Sequence, residues 1–368
     1  MFNHLIEEEK LAKKLVEYSC KVKSGEKVLI SYSDTPDSFI EYLIEEITNK
    51  NAIPIVYRLD KNIKRRLLLN SNETIFEYYK KIVEPIMNDA DAVILIGGSH
   101  NDFEFSDVSS EIFSNYSKLY VDPIHFKIRC KKKWVLLRYP TPAFAQSSNL
   151  SSEGFSEFFF NVCNLDYENL DKKMNNLKAL MENTDKVRIE TPTTNLTFSI
   201  KNMPAIKCSG TCNIPDGEIY TAPIKDSVNG TIVFNVPAKD NVVEFINIKL
   251  VFEKGKIIDF DCNNNQAFEQ ILNTDSGSRY LGEFAFGLNP YCVEPVKDIL
   301  FDEKMCKSIH LAIGSSYEDC FNGNISAVHL DLIQSHREEL GGGKIYFDDA
   351  LIYENGNFIY PNLVDLNC

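Results

Sequence analysis

The sequence predicts an α/β N-terminal domain built on a parallel sheet, followed by a β-rich α+β C-terminal domain. In the first half, the apolar runs KVLISYS, IPIVYRL and AVILIGG alternate with helical stretches. This order is typical of parallel strands that are joined by crossover helices. After residue 185 the turn signals NG, KGK, GGG and NGN separate short strand-like runs. We therefore predict two domains, 1–185 and 186–368.

The elements of the first half follow from apolar spacing and from helix-capping residues. The pattern predicts helices over 8–22, 34–47, 74–87, 151–163 and 166–183, and strands over 27–33, 53–59 and 92–98. Residues 134–146 are predicted to form a strand that runs into a proline-bounded turn. KVRIETPTTNLTFSI, which opens the second half, is typical of a β-hairpin.

Composition and charge exclude several classes of function. The 368 residues carry 53 acidic and 39 basic side chains, for a net charge of -14. So acidic a chain is a poor match for nucleic acid or an anionic membrane, because both attract positive charge. No signal peptide and no apolar run of about 18 residues is recognisable. We expect a cytoplasmic protein whose ten cysteines are reduced thiols.

Two short runs near the C-terminus hold the strongest candidates for metal ligands. In AVHLDLI, His329 and Asp331 share one face of a strand, because strand side chains alternate with a period of two. In SIHLAIG, His310 shares its face with the small residues Ala312 and Gly314, which leave room for a ligand or another strand. Such a His-x-Asp pair also arises by chance, so these runs leave an ordinary core or surface role open.

Two carboxylates upstream strengthen the metal hypothesis. Glu283 lies in the apolar run RYLGEFAFGLNP, where a buried charge needs a partner such as a metal ion or a basic side chain. Glu218 follows the tight turn Pro215-Asp-Gly. A carboxylate at a turn is usually solvated, so its role stays open on this evidence.

Taken together, these motifs resemble those of the M29 metallo-aminopeptidases, over nearly the whole chain. The matching segments are KSGEKVLI, YPTPAFAQ, TDKVRIETPTTNLTFSI, NIPDGEIYTAP, GEFAFGLNP, ILFDEK, IHLAIGSSY, AVHLDLI and GGGKIYFDDALIYENGNF. The resemblance implies the metal ligands Glu218, Glu283, His310, His329 and Asp331, and an active-site tyrosine at Tyr317. Leu330 and Cys306-Lys307 depart from the family pattern, which bears on substrate preference more than on metal binding.

Three carboxylates and two imidazoles suit Zn²⁺, Co²⁺ or Mn²⁺. Five ligands are too many for one tetrahedral catalytic zinc, so we expect two divalent ions with Glu283 as the bridging carboxylate. The expected function is a metal-dependent aminopeptidase that removes N-terminal residues from short peptides, with catalytic roles for Glu218, Glu283 and Tyr317. A hydroxide bridging both ions would be the nucleophile.

The resemblance also implies a homodimer. Two alternatives stay open: a non-catalytic, metal-stabilised paralogue that acts as a binding protein, and a hydrolase of a non-peptide amide. Glu303 in FDEK is a weaker extra candidate, either behind the ligands or at the surface.

Overall fold

The structure is a computed structural model that describes residues 4–240 and 243–368. Contacts between residues group the chain into two compact units. The first unit ends at Asn164 and also takes in Gly210–Pro215; the second comprises Leu165–Ser209 and Asp216–Cys368. The division into domains at residue 186 remains a prediction, and the contact boundary lies earlier, after Asn164.

The first unit alternates helices and strands. Its helices are α1 (His4–Lys14), α2 (Asp37–Asn49), α3 (Lys61–Leu69), α4 (Glu73–Asp89), α5 (Ser110–Tyr116), α6 (Pro142–Ser147) and α7 (Ser152–Cys163). Leu15–Ser19 and Ser117–Phe126 are π-helical. The strands are β1 (Lys27–Ser33), β2 (Ile53–Arg58), β3 (Ala92–Gly97) and β4 (Lys133–Arg138), with β8 (Asn213–Ile214) contributed from further along the chain.

The strands of this unit form a parallel sheet in the order β2-β1-β3-β4-β8. Val28, Ile30 and Val93 are completely buried, as expected for central strands that helices cover on both faces. The predicted parallel sheet is thus present, and β1 has the predicted bounds of 27–33. Of the helices in the described part of the chain, none has the length and apolar character that crossing a membrane requires.

Two helices of this unit differ from the sequence prediction. Helix α6 occupies most of the segment predicted as a proline-bounded turn. Pro142 lies in its first turn, where a missing N–H costs nothing, and the Thr141 hydroxyl accepts a hydrogen bond from the backbone N–H of Phe144 at 3.3 Å. Helix α3 was not predicted, and Leu68 is its only buried residue.

The second unit is dominated by antiparallel strands. Its helices are α8 (Tyr167–Glu182), α9 (Asn265–Leu272) and α10 (Ile299–Asp302). Its strands are β5 (Lys186–Thr191), β6 (Thr194–Ser199), β7 (Ile206–Cys208), β9 (Glu218–Thr221), β10 (Asn229–Phe234), β11 (Ala238–Asp240), β12 (Val243–Phe245), β13 (Ile248–Glu253), β14 (Lys256–Asp261), β15 (Leu281–Gly287), β16 (Ser308–Gly314), β17 (His329–Ser335), β18 (Lys344–Phe347), β19 (Ala350–Glu354) and β20 (Asn357–Phe358).

These strands form two main sheets. The larger has the order β14-β13-β10-β6-β5-β18-β19-β20 and includes the predicted hairpin β5–β6. The smaller, β17-β16-β15-β9-β7, is called the donor sheet below because its residues supply the candidate metal ligands. Aromatic contacts join the two sheets: the ring centroids of Phe198 and Phe284 lie 5.1 Å apart, and those of Phe286 and Phe358 lie 5.3 Å apart. One face of the donor sheet is therefore packed into the core of the unit.

One disulfide contradicts the expectation that all cysteines are reduced. Cys306 and Cys368 are bonded, and their Cα atoms lie 6.6 Å apart, within the range that a disulfide spans. The expectation is therefore wrong for this pair.

Candidate metal centre

Antiparallel register brings the five predicted ligands to one face of the donor sheet. Glu283 in β15 pairs with Ala312 in β16, which in turn pairs with Asp331 in β17. Residues directly opposite each other in a ladder point to the same face. By the same register, His310 faces Ala285, His329 faces Gly314 and Glu218 faces Gly287. The alternation inferred from the sequence thus extends across four neighbouring strands.

Small residues separate the donors on this face. Ala312 lies between Glu283 and Asp331, and Ala285 lies between His310 and Tyr220. A larger side chain at either alanine would occupy the space into which the carboxylates and imidazoles project. The small residues beside His310 in the sequence therefore have a structural reason.

The donor atoms form two groups that share Glu283. In the first, His310 Nε2 lies 3.3 Å from Glu283 Oε1 and 3.6 Å from Glu218 Oε2. In the second, His329 Nε2 lies 3.4 Å from Glu283 Oε2 and 3.5 Å from Asp331 Oδ1. Within each group the ligand atoms all lie within 4.8 Å of one another. Glu283 therefore offers one oxygen to each group.

Several of these atoms are buried without a hydrogen-bond partner. Among the described residues they include Glu218 Oε2, His329 Nε2 and Asp331 Oδ1. Buried polar atoms are normally satisfied, and an atom left unpaired needs an explanation such as an ion. A divalent cation between them would satisfy these atoms, so the residues present fit such a group.

A hydrogen bond at the second ring nitrogen, Nδ1, fixes the orientation of the His329 ring. Its Nδ1 donates a hydrogen bond of 2.8 Å to the backbone carbonyl of Ser315. The ring therefore carries its proton on Nδ1 when neutral, which leaves the lone pair of Nε2 for a metal.

The electrostatics of the cluster favour charged carboxylates and imidazolium ions when no metal is bound. Burial disfavours the charged form of His310, but its hydrogen bond to Glu283 and the charge of Glu218 outweigh this and raise its pKa to about 9. The pKa of His329 rises to about 12, because the charge of Asp331 outweighs burial. Burial opposes ionisation of Glu283, yet its close contacts with His310 and His329 lower its pKa. The cluster thus binds protons where it would otherwise bind cations.

Tyr317 lies beside the second group of donors. Its ring centroid is 4.8 Å from that of His329 and 5.4 Å from that of Tyr220. Partial burial of this half-exposed side chain, and next the charge of Glu283, raise the pKa of Tyr317 above its ordinary value, which keeps the hydroxyl protonated. The Tyr220 hydroxyl donates to the Asp319 carboxylate at 2.9 Å. Tyr317 is thus a neutral hydrogen-bond donor at the rim of the cluster.

A tight turn delivers Glu218 to the cluster. Gly217 has a φ of +121°, and a Cβ atom there would come within 3.1 Å of the Asn289 side chain. Both conditions favour glycine. Glu218 itself is buried, with 6 % of its surface exposed, so it is not the solvated turn carboxylate that the sequence left open.

Sequence reasoning missed one charged residue of the cluster. Lys304 is completely buried, and its Nζ lies 2.5 Å from Glu218 Oε1 and 2.5 Å from Glu303 Oε1. Glu303, the weaker candidate, lies behind Glu218 rather than at the surface; burial raises its pKa to about 8. Glu303 and Lys304 directly follow the short helix α10. The FDEK run has no apolar period that would have placed either residue in the cluster.

A sheet face on which three carboxylates and two imidazoles converge has the chemistry of a site for divalent metal ions. Residues 6–358 match the model of the thermophilic metalloprotease (M29) family. The chain therefore belongs to that family, as the resemblance of its motifs predicted.

Two curated relatives share part of the sequence. Aminopeptidase AmpS from Bacillus subtilis is 31% identical over 173 residues, which are 40% of each chain. Aminopeptidase T from Thermus thermophilus is 28% identical over 162 residues, or 39% of this chain and 37% of the relative. In these alignments the chain spans about two fifths of the length of the curated relatives.

Solved structures share the fold over nearly the whole chain. Wild-type AmpT from Thermus thermophilus has a TM-score of 0.81 at 19% identity, covering 96% of this chain and 99% of that one. A 2,5-dihydroxypyridine dioxygenase from Pseudomonas putida has a TM-score of 0.65 at 13% identity, covering 99% and 100%. Since two such differently named enzymes share it, the fold alone does not determine the chemistry.

Proposed function

We propose that this protein is a metal-dependent aminopeptidase that removes N-terminal residues from short peptides through a dinuclear metal site. The observation that carries the proposal is the position of Glu283, whose two oxygens face separate groups of donors. Membership of the metalloprotease family and two relatives named aminopeptidases support it.

In this proposal the two groups of donors hold one ion each. Glu218 and His310 would hold the first, His329 and Asp331 would hold the second, and Glu283 would offer one oxygen to each. Zn²⁺, Co²⁺ and Mn²⁺ all accept such mixed oxygen and nitrogen ligands. When bound, the ions would supply a water-derived nucleophile near neutral pH and would polarise the scissile carbonyl.

The remaining steps belong to side chains of the protein. The Tyr317 hydroxyl donates a hydrogen bond to the oxygen on which negative charge develops as the carbonyl carbon is attacked. The bond from that carbon to the peptide nitrogen then breaks, and the departing amine takes up the proton that the attacking water has released. The substrate's free α-amine completes its binding at the cluster, which limits cleavage to the N-terminal residue.

We also propose a homodimer in the cytoplasm. The dimer rests on the family resemblance alone.

The test of this function combines metal removal with blocked substrates. Protein dialysed against a chelator should stop releasing N-terminal residues from short peptides, and Zn²⁺, Co²⁺ or Mn²⁺ should restore the release. N-acetylated versions of the same peptides should not be cleaved. The readout is the released amino acid, and metal content is measured by mass spectrometry on the same samples.

Three results would contradict the proposal. Full activity in protein shown to be metal-free would remove the metal from the reaction. Equal cleavage of acetylated and free peptides would indicate an endopeptidase or another amidase. Specific metal binding without hydrolysis of any peptide or amide would favour a binding protein.

A further inference from the structure

Lys304 is a cation built into the candidate metal centre. Its side chain is 1% exposed and lies between carboxylates of Glu218, Glu303 and Asp216, at 2.5, 2.5 and 3.8 Å. A buried ammonium is tolerated only where such charges compensate it. The arrangement is therefore specific to this position and is not a chance surface ion pair.

The backbone holds Lys304 firmly in place. Its N–H donates to the carbonyl of Phe301 at 3.0 Å, and its own carbonyl accepts from the N–H of Asn289 at 3.0 Å. The Asn289 side chain in turn donates to the backbone carbonyl of Asp216 at 2.8 Å. One short network thus fixes Lys304 relative to the turn that leads into Glu218.

A third group of potential ligands surrounds the same ammonium. Cys208, Asp216 and Glu218 bring ligand atoms within 4.8 Å of one another, as the two groups around Glu283 do. Lys304 Nζ is within ion-pair distance of two of these three residues. In this third group the ammonium of Lys304, and not a metal ion, supplies the positive charge that balances the carboxylates.

The two oxygens of Glu218 consequently have different partners. Oε1 contacts Lys304, whereas Oε2 is directed to His310 at 3.6 Å and has no hydrogen-bond partner among the described residues. We infer that Lys304 is a positioning residue: it holds Oε1 of Glu218, presents Oε2 alone to a metal ion, and fills the Cys208–Asp216–Glu218 group so that the cluster takes two ions and not three. This inference rests on the proposed dinuclear site.

The consequence is confined to one of the two ion sites. Without Lys304, Glu218 loses the contact that fixes its rotamer, and the ion held by Glu218 and His310 should bind more weakly. Among the described residues, Lys304 forms ion pairs with Asp216, Glu218 and Glu303. The ion held by His329 and Asp331 should therefore be much less affected. Substitution of a residue that contacts a metal ligand typically changes the metal affinity by about 10–100-fold.

The experiment is calorimetric titration of metal-free protein with Mn²⁺ or Zn²⁺. Lys304→Met should weaken one of two binding events by about 10–100-fold and leave the other nearly unchanged. Loss of a buried cation destabilises the fold, so Glu303→Gln/Lys304→Met is measured as well, because it changes both members of the contact between Lys304 and Glu303. Glu303→Gln alone is the matched control and should retain both events, since it keeps the contact between Lys304 and Glu218. Circular dichroism verifies folding.

The outcomes separate this inference from the proposed function. Wild-type affinities in a folded Lys304→Met protein, or in the folded double variant, would overturn the role of Lys304 and leave the dinuclear site standing. Three ions bound to the wild type would overturn the claim that Lys304 fills the third group. A wild-type protein that binds no divalent ion would overturn the proposed function itself.

Discussion

Glu283 is the residue on which the candidate site depends most. It is 3% exposed, lies on the middle strand of the five that form the donor sheet, and contacts both histidines. Tyr317 is peripheral by comparison, with 47% of its surface exposed. The two residues should therefore affect different quantities when they are changed.

Glu283→Gln should lower metal content, whereas Tyr317→Phe should leave metal content near normal and reduce kcat. The first change removes negative charge from both proposed ions, and the second removes a donor to the transition state, worth roughly 10²–10³ in kcat. Metal content by mass spectrometry and steady-state kinetics on one free peptide distinguish them. Unchanged kcat with altered metal occupancy in Tyr317→Phe would make Tyr317 a ligand or a packing residue.

At the residue scale, the alternation of side chains along the strands predicted more of the candidate site than the amino-acid composition did. His329 and Asp331 share a face because a strand has a period of two, and the register places Glu283 on that same face. No local pattern could have identified Lys304. Its burial depends on carboxylates that lie far from it in sequence, at Asp216 and Glu218.

At the element scale, the donor sheet depends on glycines where strands approach closely. Gly314, the last residue of β16, has a φ of +100°, and a Cβ atom there would lie 2.1 Å from the carbonyl oxygen of Val328. Gly314 pairs with His329, the first residue of β17. A side chain at this point would push the start of β17 away from its neighbour.

Gly314→Ala should therefore destabilise the protein and weaken metal binding together. Gly323→Ala is the matched control, because Gly323 also has a positive φ of +87° but has open space around its Cβ position. The control bears only the backbone cost of about 1 kcal/mol, while Gly314→Ala adds a steric clash. Thermal unfolding and metal titration of both variants provide the measurement. Equal effects in the two variants would show that contact with Val328 does not position His329.

Elements with a strong apolar period were predicted well, and weakly patterned ones were not. Strand β1 was predicted at its exact bounds, because its run KVLISYS is mostly buried. Helix α3 was missed because it is only 9 residues long and buries a single residue, Leu68. Helix α6 was missed because Pro142 was interpreted as a turn residue, although proline is equally suited to a first helical turn.

At the scale of the whole molecule, protons and metal ions compete for the same cluster. The pKa of His310 is raised to about 9, so its imidazolium stabilises the metal-free fold below pH 6.5. That contribution is lost as the pH rises toward 9. A metal ion needs the neutral imidazole, so binding releases a proton over the same range.

The increase in thermal midpoint caused by a saturating divalent ion should consequently grow between pH 6.5 and pH 9. The linked free energy for His310 is of the order of 3 kcal/mol at most over this interval. Differential scanning calorimetry with and without metal tests this, together with titrations in buffers of different ionisation enthalpy that count released protons. An increment independent of pH would contradict the protonation of His310 in the metal-free state.

During synthesis of the chain, the first unit is completed only after the first part of the second unit has been made. Its strand β8 comes from residues 213–214, after the chain has already built α8 and the strands β5, β6 and β7 of the second unit. Until the ribosome has added that strand, the segment of β4 that pairs with β8 through Leu136 and Leu137 is an open sheet edge. Open edges invite pairing with other chains. The ribosome adds residues 139–212 between the end of β4 and the start of β8, and this edge of β4 lacks its partner strand throughout that interval.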